Sequence, residues 1–232
     1  MSRQPPVQQP PPVQRLRVRY AKRGRARFAS HRDFSRAFER ALRRAGIPMA
    51  FSSGFSPHPR ISYVNAAPTG AASEAEYLEI ALAAPMTPPD VASRLDAALP
   101  DGFAIVAVAE AAGPHLPELL THSRWSIELR GVSQAALEAG VAAFLAADAI
   151  DVQRLTKNGI RTFDVRAPVV GFTIVAPERL EIVSALGVPL VRPDDVVQGL
   201  MRVAPTVMPS QPAVFTRLAQ GCLDGEQVVD PF

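Results

Sequence analysis

The stretch from Ser30 to Pro48, SHRDFSRAFERALRRAGIP, narrows the folds open to this chain more than any other. Ser30 can cap a helix, and Asp33 stands three residues on, where a carboxylate can answer the cap. Phe34, Ala37, Phe38, Ala41, Leu42 and Ala45 recur at the i, i+3, i+4, i+7 spacing of one apolar helix face. Arg32, Arg36, Arg40, Arg43 and Arg44 fall largely on the other side, and Gly46 and Pro48 mark the stop. A helix so sharply two-faced has to lay its apolar stripe on a second layer.

Its neighbours supply that layer. In RLRVRY, apolar Leu16, Val18 and Tyr20 alternate with Arg15, Arg17 and Arg19, which predicts a half-buried strand with a basic outer face. KRGRARF turns at Gly24. Short strands are expected at 49–52 and 60–64, and another at 75–82 after the PTGAAS turn. TPPDVASRLDAALPDG is a second helix, capped by Thr87 and buried through Val91, Leu95, Ala98 and Leu99. FAIVAVAEA (103–111) is a buried strand. The order strand, helix, strand, strand, helix, strand is that of a ferredoxin-like unit.

After a connector at 113–123 the order restarts. A strand at 124–131, a helix at 133–147 capped by Ser133, a strand at 150–155, a hairpin at 169–186, a helix at 192–204 and a strand at 213–220 are expected, with an excursion at 156–168. The fold class is therefore α+β: two ferredoxin-like (βαββαβ) units in tandem, 15–112 and 124–220, each an antiparallel sheet with helices on one face. The Pro/Gln-rich residues 1–14 are expected to be disordered and 221–232 to form a C-terminal tail.

Charge is distributed unevenly. Residues 1–60 carry 14 Lys and Arg against two acids, Asp33 and Glu39, a balance of +12, and the rest of the chain carries −9. A basic block at one end is the footprint of a polyanionic partner, or of a surface that arginines merely keep solvated. No apolar run approaches the length of a membrane-spanning helix, and the first 14 residues lack the apolar core of a secretory signal. The single cysteine, Cys222, allows no internal disulfide and no thiolate cluster. These features place the chain in the cytoplasm, off the membrane and without a cofactor.

Several stretches resemble a known family. The entry FASHRD, the run RAFERALRRAGIP, the loop GFSPHPRIS and the strand SEAEYLEI, with KNGIRTFDVR and VRPDDVVQGL further on, are similar to the radical-SAM-linked protein family. The resemblance covers about residues 15–220. It implies association with a radical S-adenosylmethionine enzyme and assigns no substrate and no active-site residue.

The candidate site residues come from chemistry instead. Arg17, Arg19 and Lys22 of the first strand and Arg32, Arg36 and Arg40 of the helix offer contacts to an RNA backbone. His31 begins the helix, where a neutral imidazole can serve as a base or can simply pack the helix start. In FSSGFSPHPRIS, two prolines stiffen a loop that carries Phe55, His58 and Arg60, and Arg60 can fork onto a phosphate. Glu74, Glu76 and Glu79 are read as a solvated edge able to salt-bridge the first strand. The four histidines show no metal-ligand spacing. The expected function is a non-catalytic accessory or substrate-binding protein that grips RNA for a radical SAM partner in RNA modification or processing. Two alternatives stand beside it. One is a metal-independent endoribonuclease of the tandem ferredoxin-like type, using His31 and a glycine-bearing segment AQGCLDG (219–225). The other is a protein–protein docking scaffold. The RNA reading requires Arg17, Arg19, Arg36, Arg40, His58 and Arg60 to share one face.

Overall fold

Both ends of the arginine-rich helix are closed by the residues expected to close them. In the computed structural model, which describes residues 8–157 and 159–232, α1 spans His31–Arg44. The Asp33 N–H donates to Ser30 Oγ and the Ser30 N–H to Asp33 Oδ2, each at 3.2 Å. At the other end Gly46 takes φ 64°. Its N–H donates to the Arg43 carbonyl at 3.2 Å, and the Ile47 N–H to that of Leu42 at 3.1 Å. This double bond is the glycine stop that satisfies the last carbonyls of a helix.

The chain separates into two compact units, one ending at Glu118 and one running from Leu119 to Pro231. The first contains β1 (Gln14–Lys22), a 3₁₀ turn at Gly24–Phe28, α1, β2 (Ile61–Val64), β3 (Ala72–Leu82), α2 (Pro88–Ala98) and β4 (Phe103–Glu110), and a four-residue helix, α3 (Leu116–Leu119), follows. Its strands lie in the order β4–β1–β3–β2 with every neighbouring pair antiparallel. The segment at 49–52, expected as a strand, contributes only two isolated bridges, Met49 to Leu82 and Phe51 to Pro59. The first seven residues of the expected Pro/Gln-rich tail lie outside the described residues.

Strand register sorts the side chains. Leu16 opposes Ile80, and Val18 opposes both Leu78 and Val108. These residues pack under Phe34, Phe38 and Leu42 of α1 and Val91 and Leu95 of α2. Phe34 is the hub: its ring stacks on Tyr20 at 4.1 Å and meets Phe103 at 5.0 Å and Tyr63 at 6.1 Å. One aromatic side chain of α1 thus touches β1, β2 and β4.

The face of β1 turned away from the helices corrects the sequence reading. Arg17 is only 4 % exposed and Arg19 is half-buried, so of the three arginines expected on an outer basic face only Arg15 stands exposed. The reason is topological. β1 lies between β4 and β3, so a residue of a neighbouring strand can answer a charge on that face. Arg17 opposes Glu79, with Nε 3.1 Å from Oε1, and its guanidinium also donates to the Pro114 carbonyl. The carboxylates of β3 are likewise no solvated edge. Glu76 is 2 % exposed and accepts the Ala67 N–H at 2.9 Å, while Glu74 holds Arg23 through two N–H groups.

The second unit contains β5 (His122–Glu128), α4 (Gln134–Ala146), β6 (Asp151–Thr156), β7 (Gly159–Asp164), β8 (Val169–Ala176), β9 (Arg179–Ala185), α5 (Pro193–Val203), β10 (Val214–Asp224) and β11 (Gln227–Val229). The antiparallel order is β10–β5–β9–β8, and β11 pairs with the end of β10. The strand expected at 150–155 pairs with the excursion after it, forming a separate two-stranded sheet, β6–β7. Arg154 ties that hairpin to the start of α5: it donates to Asp195 Oδ2 at 2.6 Å and lies over the Phe163 ring at 4.7 Å. Burial pushes the Asp195 carboxyl up, against the opposing pull of the Arg192 N–H and of Arg154. α5 approaches so closely at Gly199 that a Cβ there would stand 2.7 Å from Val165 and 2.9 Å from Phe144. Among the described residues no helix is long and apolar enough to cross a membrane.

Phe34→Ala is expected to lower the unfolding free energy by about 3–5 kcal/mol through the cavity it leaves. Glu79→Ala is expected to cost a comparable ~3–5 kcal/mol, because it strands the Arg17 charge in the interior. Denaturant unfolding followed by circular dichroism checks both.

Candidate functional site

The sequence-derived candidates sort onto two faces of the first unit. Arg32, Arg36 and Arg40 are exposed on α1, which covers the face bearing Leu16, Val18 and Tyr20. Arg17 and Arg19 point to the other face, and neither is a solvated contact: Arg19 is half-buried and its Nε donates to the Glu74 carbonyl at 3.0 Å. Lys22 is buried, with Nζ 3.4 Å from the Pro68 carbonyl. The single basic face that the RNA reading required is therefore absent. Two smaller cationic surfaces stand in its place.

The first is the outer side of α1 and its approach. Arg32, Arg36, Arg40 and Arg43 share this side by helical spacing, and Arg25 and Arg27 precede it in the 3₁₀ turn. Arg27 lies over the Phe28 ring at 4.6 Å. Among the described residues none of these six makes an ion pair.

His31 stands at the edge of this surface. Its ring meets that of Tyr63 edge-on at 4.8 Å, a contact between the first turn of α1 and β2. Ser35, one turn on, donates its hydroxyl to the His31 carbonyl at 2.9 Å. The Tyr63 hydroxyl is buried. Burial pushes its pKa up to about 12, the neighbouring Ser35 hydroxyl opposing and Glu39 adding to the rise. Tyr63 went unnoticed in the sequence because its relation to His31 is made across 32 positions by the β2–β3 pairing and carries no local motif.

The second surface is built by FSSGFSPHPRIS. The segment folds back on itself: the Ser52 N–H donates to the His58 carbonyl at 2.9 Å, and the His58 N–H to Ser52 Oγ at 3.1 Å. It is then sewn to β3, with the Arg60 N–H donating to the Ala50 carbonyl at 2.9 Å and the Ala81 N–H to the Arg60 carbonyl at 3.0 Å. Arg60 Nε donates to the Phe51 carbonyl at 3.1 Å. Phe55 stands 68 % exposed near the middle of the segment. His58 and Arg60 line a groove of about 310 Å³ together with Arg15, Ser52, Ser62 and Glu79. The register places Ser62 and Arg17 opposite Glu79, and Arg15 opposite Ala81, so these polar side chains belong to the face away from α1.

Elsewhere the segment AQGCLDG is not a loop. It is strand as far as Asp224, and only Gly225, at φ 58°, turns the chain into β11. The flexible glycine-rich element that the ribonuclease alternative uses is thus replaced by a paired strand. Among the described residues no group of three or more His, Cys, Asp or Glu could hold a metal ion.

The fold and the two cationic surfaces define a mixed α+β protein of antiparallel sheets with an arginine-faced helix. Residues 15–193, well over half of the chain, match the family described as an uncharacterized protein conserved in bacteria (DUF2344), and the chain belongs to that family. No curated protein matches the chain.

Tyr63→Phe is expected to remove one ionisation with a midpoint near pH 12 from the alkaline absorbance titration of the tyrosines. The sign for stability follows. A folded-state pKa raised above the unfolded one means the unfolded chain loses this proton first, so stability falls as pH rises from about 10 to about 12. The variant should show a flatter profile in that window.

Proposed function

We propose that this protein is a non-catalytic, cytoplasmic accessory module that grips RNA through the outer side of α1 and works beside a radical SAM enzyme. The observation that carries the reading is the row of exposed arginines on one helix. Arg32, Arg36, Arg40 and Arg44 stand at successive i, i+4 positions, and like charges at that spacing destabilise a helix by roughly 0.2–0.5 kcal/mol per pair. The buried stripe of α1 does not draw on the row, of which, among the described residues, only Arg44 is tied to a neighbouring element, through the Ala98 carbonyl of α2. A polyanion laid along the helix repays that cost, because the arginines neutralise phosphates and release the counterions condensed on the nucleic acid.

The tandem ferredoxin-like reading belongs to this proposal as well. It is supported in the first unit by the element order βαββαβ and the strand order β4–β1–β3–β2. It is supported in the second by the order β10–β5–β9–β8 once the β6–β7 hairpin is set aside. The radical SAM partner rests on the resemblance of the FASHRD, GFSPHPRIS and SEAEYLEI stretches.

The double variant Arg36→Glu, Arg40→Glu is expected to weaken binding of a fluorescent single-stranded RNA at least tenfold. It should also reduce the slope of log affinity against log salt by about 1.4, the release expected for two phosphate contacts on a single strand. Anisotropy titrations at several salt concentrations read both quantities. Unchanged affinity and slope sink the RNA reading. Ribonuclease-resistant capture of the radical SAM enzyme, lost in the same variant, would assign the arginine row to protein docking instead.

A further inference from the structure

We propose that the groove between β1, β3 and the 50–62 segment is a binding site for the terminal phosphate of a phosphate monoester. Its lining carries two guanidinium groups, Arg15 and Arg60, the His58 imidazole and the hydroxyls of Ser52 and Ser62. The one carboxylate present, Glu79, is already engaged by Arg17 at 3.1 Å, so the groove presents a net positive charge to a ligand. That balance selects an anion. The donors come from three separate segments, β1, the 50–60 loop and β2, and are more numerous than a planar carboxylate needs, which suits a tetrahedral dianion with three terminal oxygens.

The site is also preformed. Arg60 is fixed at its backbone by bonds to Ala50 and Ala81 and at Nε by the Phe51 carbonyl, and among the described residues its terminal nitrogens make no hydrogen bond. Ser52 and His58 are locked to one another by two hydrogen bonds. Loop entropy and part of the rotamer entropy of Arg60 are therefore spent at folding, before a ligand arrives. Arg15 is exposed and among the described residues its side chain makes no hydrogen bond or ion pair, so its guanidinium is available. A space of about 310 Å³ takes a phosphate and the part of the ester next to it, as at the end of a nucleotide. This site lies on the face opposite the α1 arginines and does not rest on the RNA reading.

Calorimetric titration with adenosine 5′-monophosphate in low-salt, phosphate-free buffer tests it, with inorganic phosphate as the minimal probe. The wild-type chain is expected to bind both saturably. Arg15→Gln and Arg60→Gln should each weaken binding at least tenfold, while Arg60→Lys restores part of the loss because it keeps the charge without the fork. Arg15→Gln is the decisive variant, since it breaks no contact of the fold. The helix variant Arg36→Glu, Arg40→Glu should bind the nucleotide within twofold of wild type, which separates this site from the proposed RNA strip. A second arm compares 5′-phosphorylated with 5′-hydroxyl RNA oligonucleotides. A tenfold preference for the phosphorylated end, lost in Arg15→Gln, supports the site with a nucleic-acid terminus as the source of the monoester. Nucleotide binding without that preference supports it with a small molecule as the source. No saturable binding of either probe, or equal binding by wild type, Arg15→Gln and Arg60→Gln, overturns the proposal.

Discussion

Arg17 faces Glu79 across the middle of an antiparallel sheet, and the first unit is organised around that pairing. Two charges withdrawn from water each lose several kcal/mol of hydration, and only close contact with good hydrogen bonds recovers it. Nε at 3.1 Å and a second donation to the Pro114 carbonyl provide this. Side chains alternate along a strand, so fixing Arg17 on one face sends Leu16 and Val18 to the other. There they receive α1 and α2. The sheet thereby acquires one side committed to an apolar core and one side on which charge is tolerated because it is paired.

Everything of functional interest follows that division. The helix that covers the apolar side turns Arg32, Arg36, Arg40 and Arg43 outward, where among the described residues none of them makes an ion pair. The loop that returns from α1 to β2 is stapled to β3 on its way, through Ala50, Arg60 and Ala81. It delivers His58 and Arg60 to the opposite side, next to Arg15. Two cationic surfaces arise from one stretch of sequence because the sheet stands between them. An extended polyanion suits the open helix row, and a compact anion suits the groove.

Much of this was legible in the chain. The limits of α1 are set by local chemistry: a serine that reaches an N–H three residues on, and a glycine whose φ of 64° lets two N–H groups turn back to Leu42 and Arg43. Thr87 and Pro88 begin α2 for equally local reasons. The stiffness of FSSGFSPHPRIS was visible in its prolines. What misled was the alternation in RLRVRY. A strand with apolar and basic residues in turn reads as half-solvated, yet the same pattern fits an interior strand whose charged face is answered by a neighbour. Periodicity reports that two faces differ and is silent on what covers them.

The sequence alone determined the periodicities, the caps and the stops, because these depend on residues within four positions of each other. It also determined the basic block, a matter of composition. Only the tertiary structure decided which arginines meet solvent. That depends on strand order, which put β1 between β4 and β3 and brought Glu79 to Arg17 from 62 positions away. The same long-range pairing set Tyr63 against His31 and Arg15 beside Arg60. Burial is a property of neighbours, and the neighbours of a strand are chosen by the whole sheet.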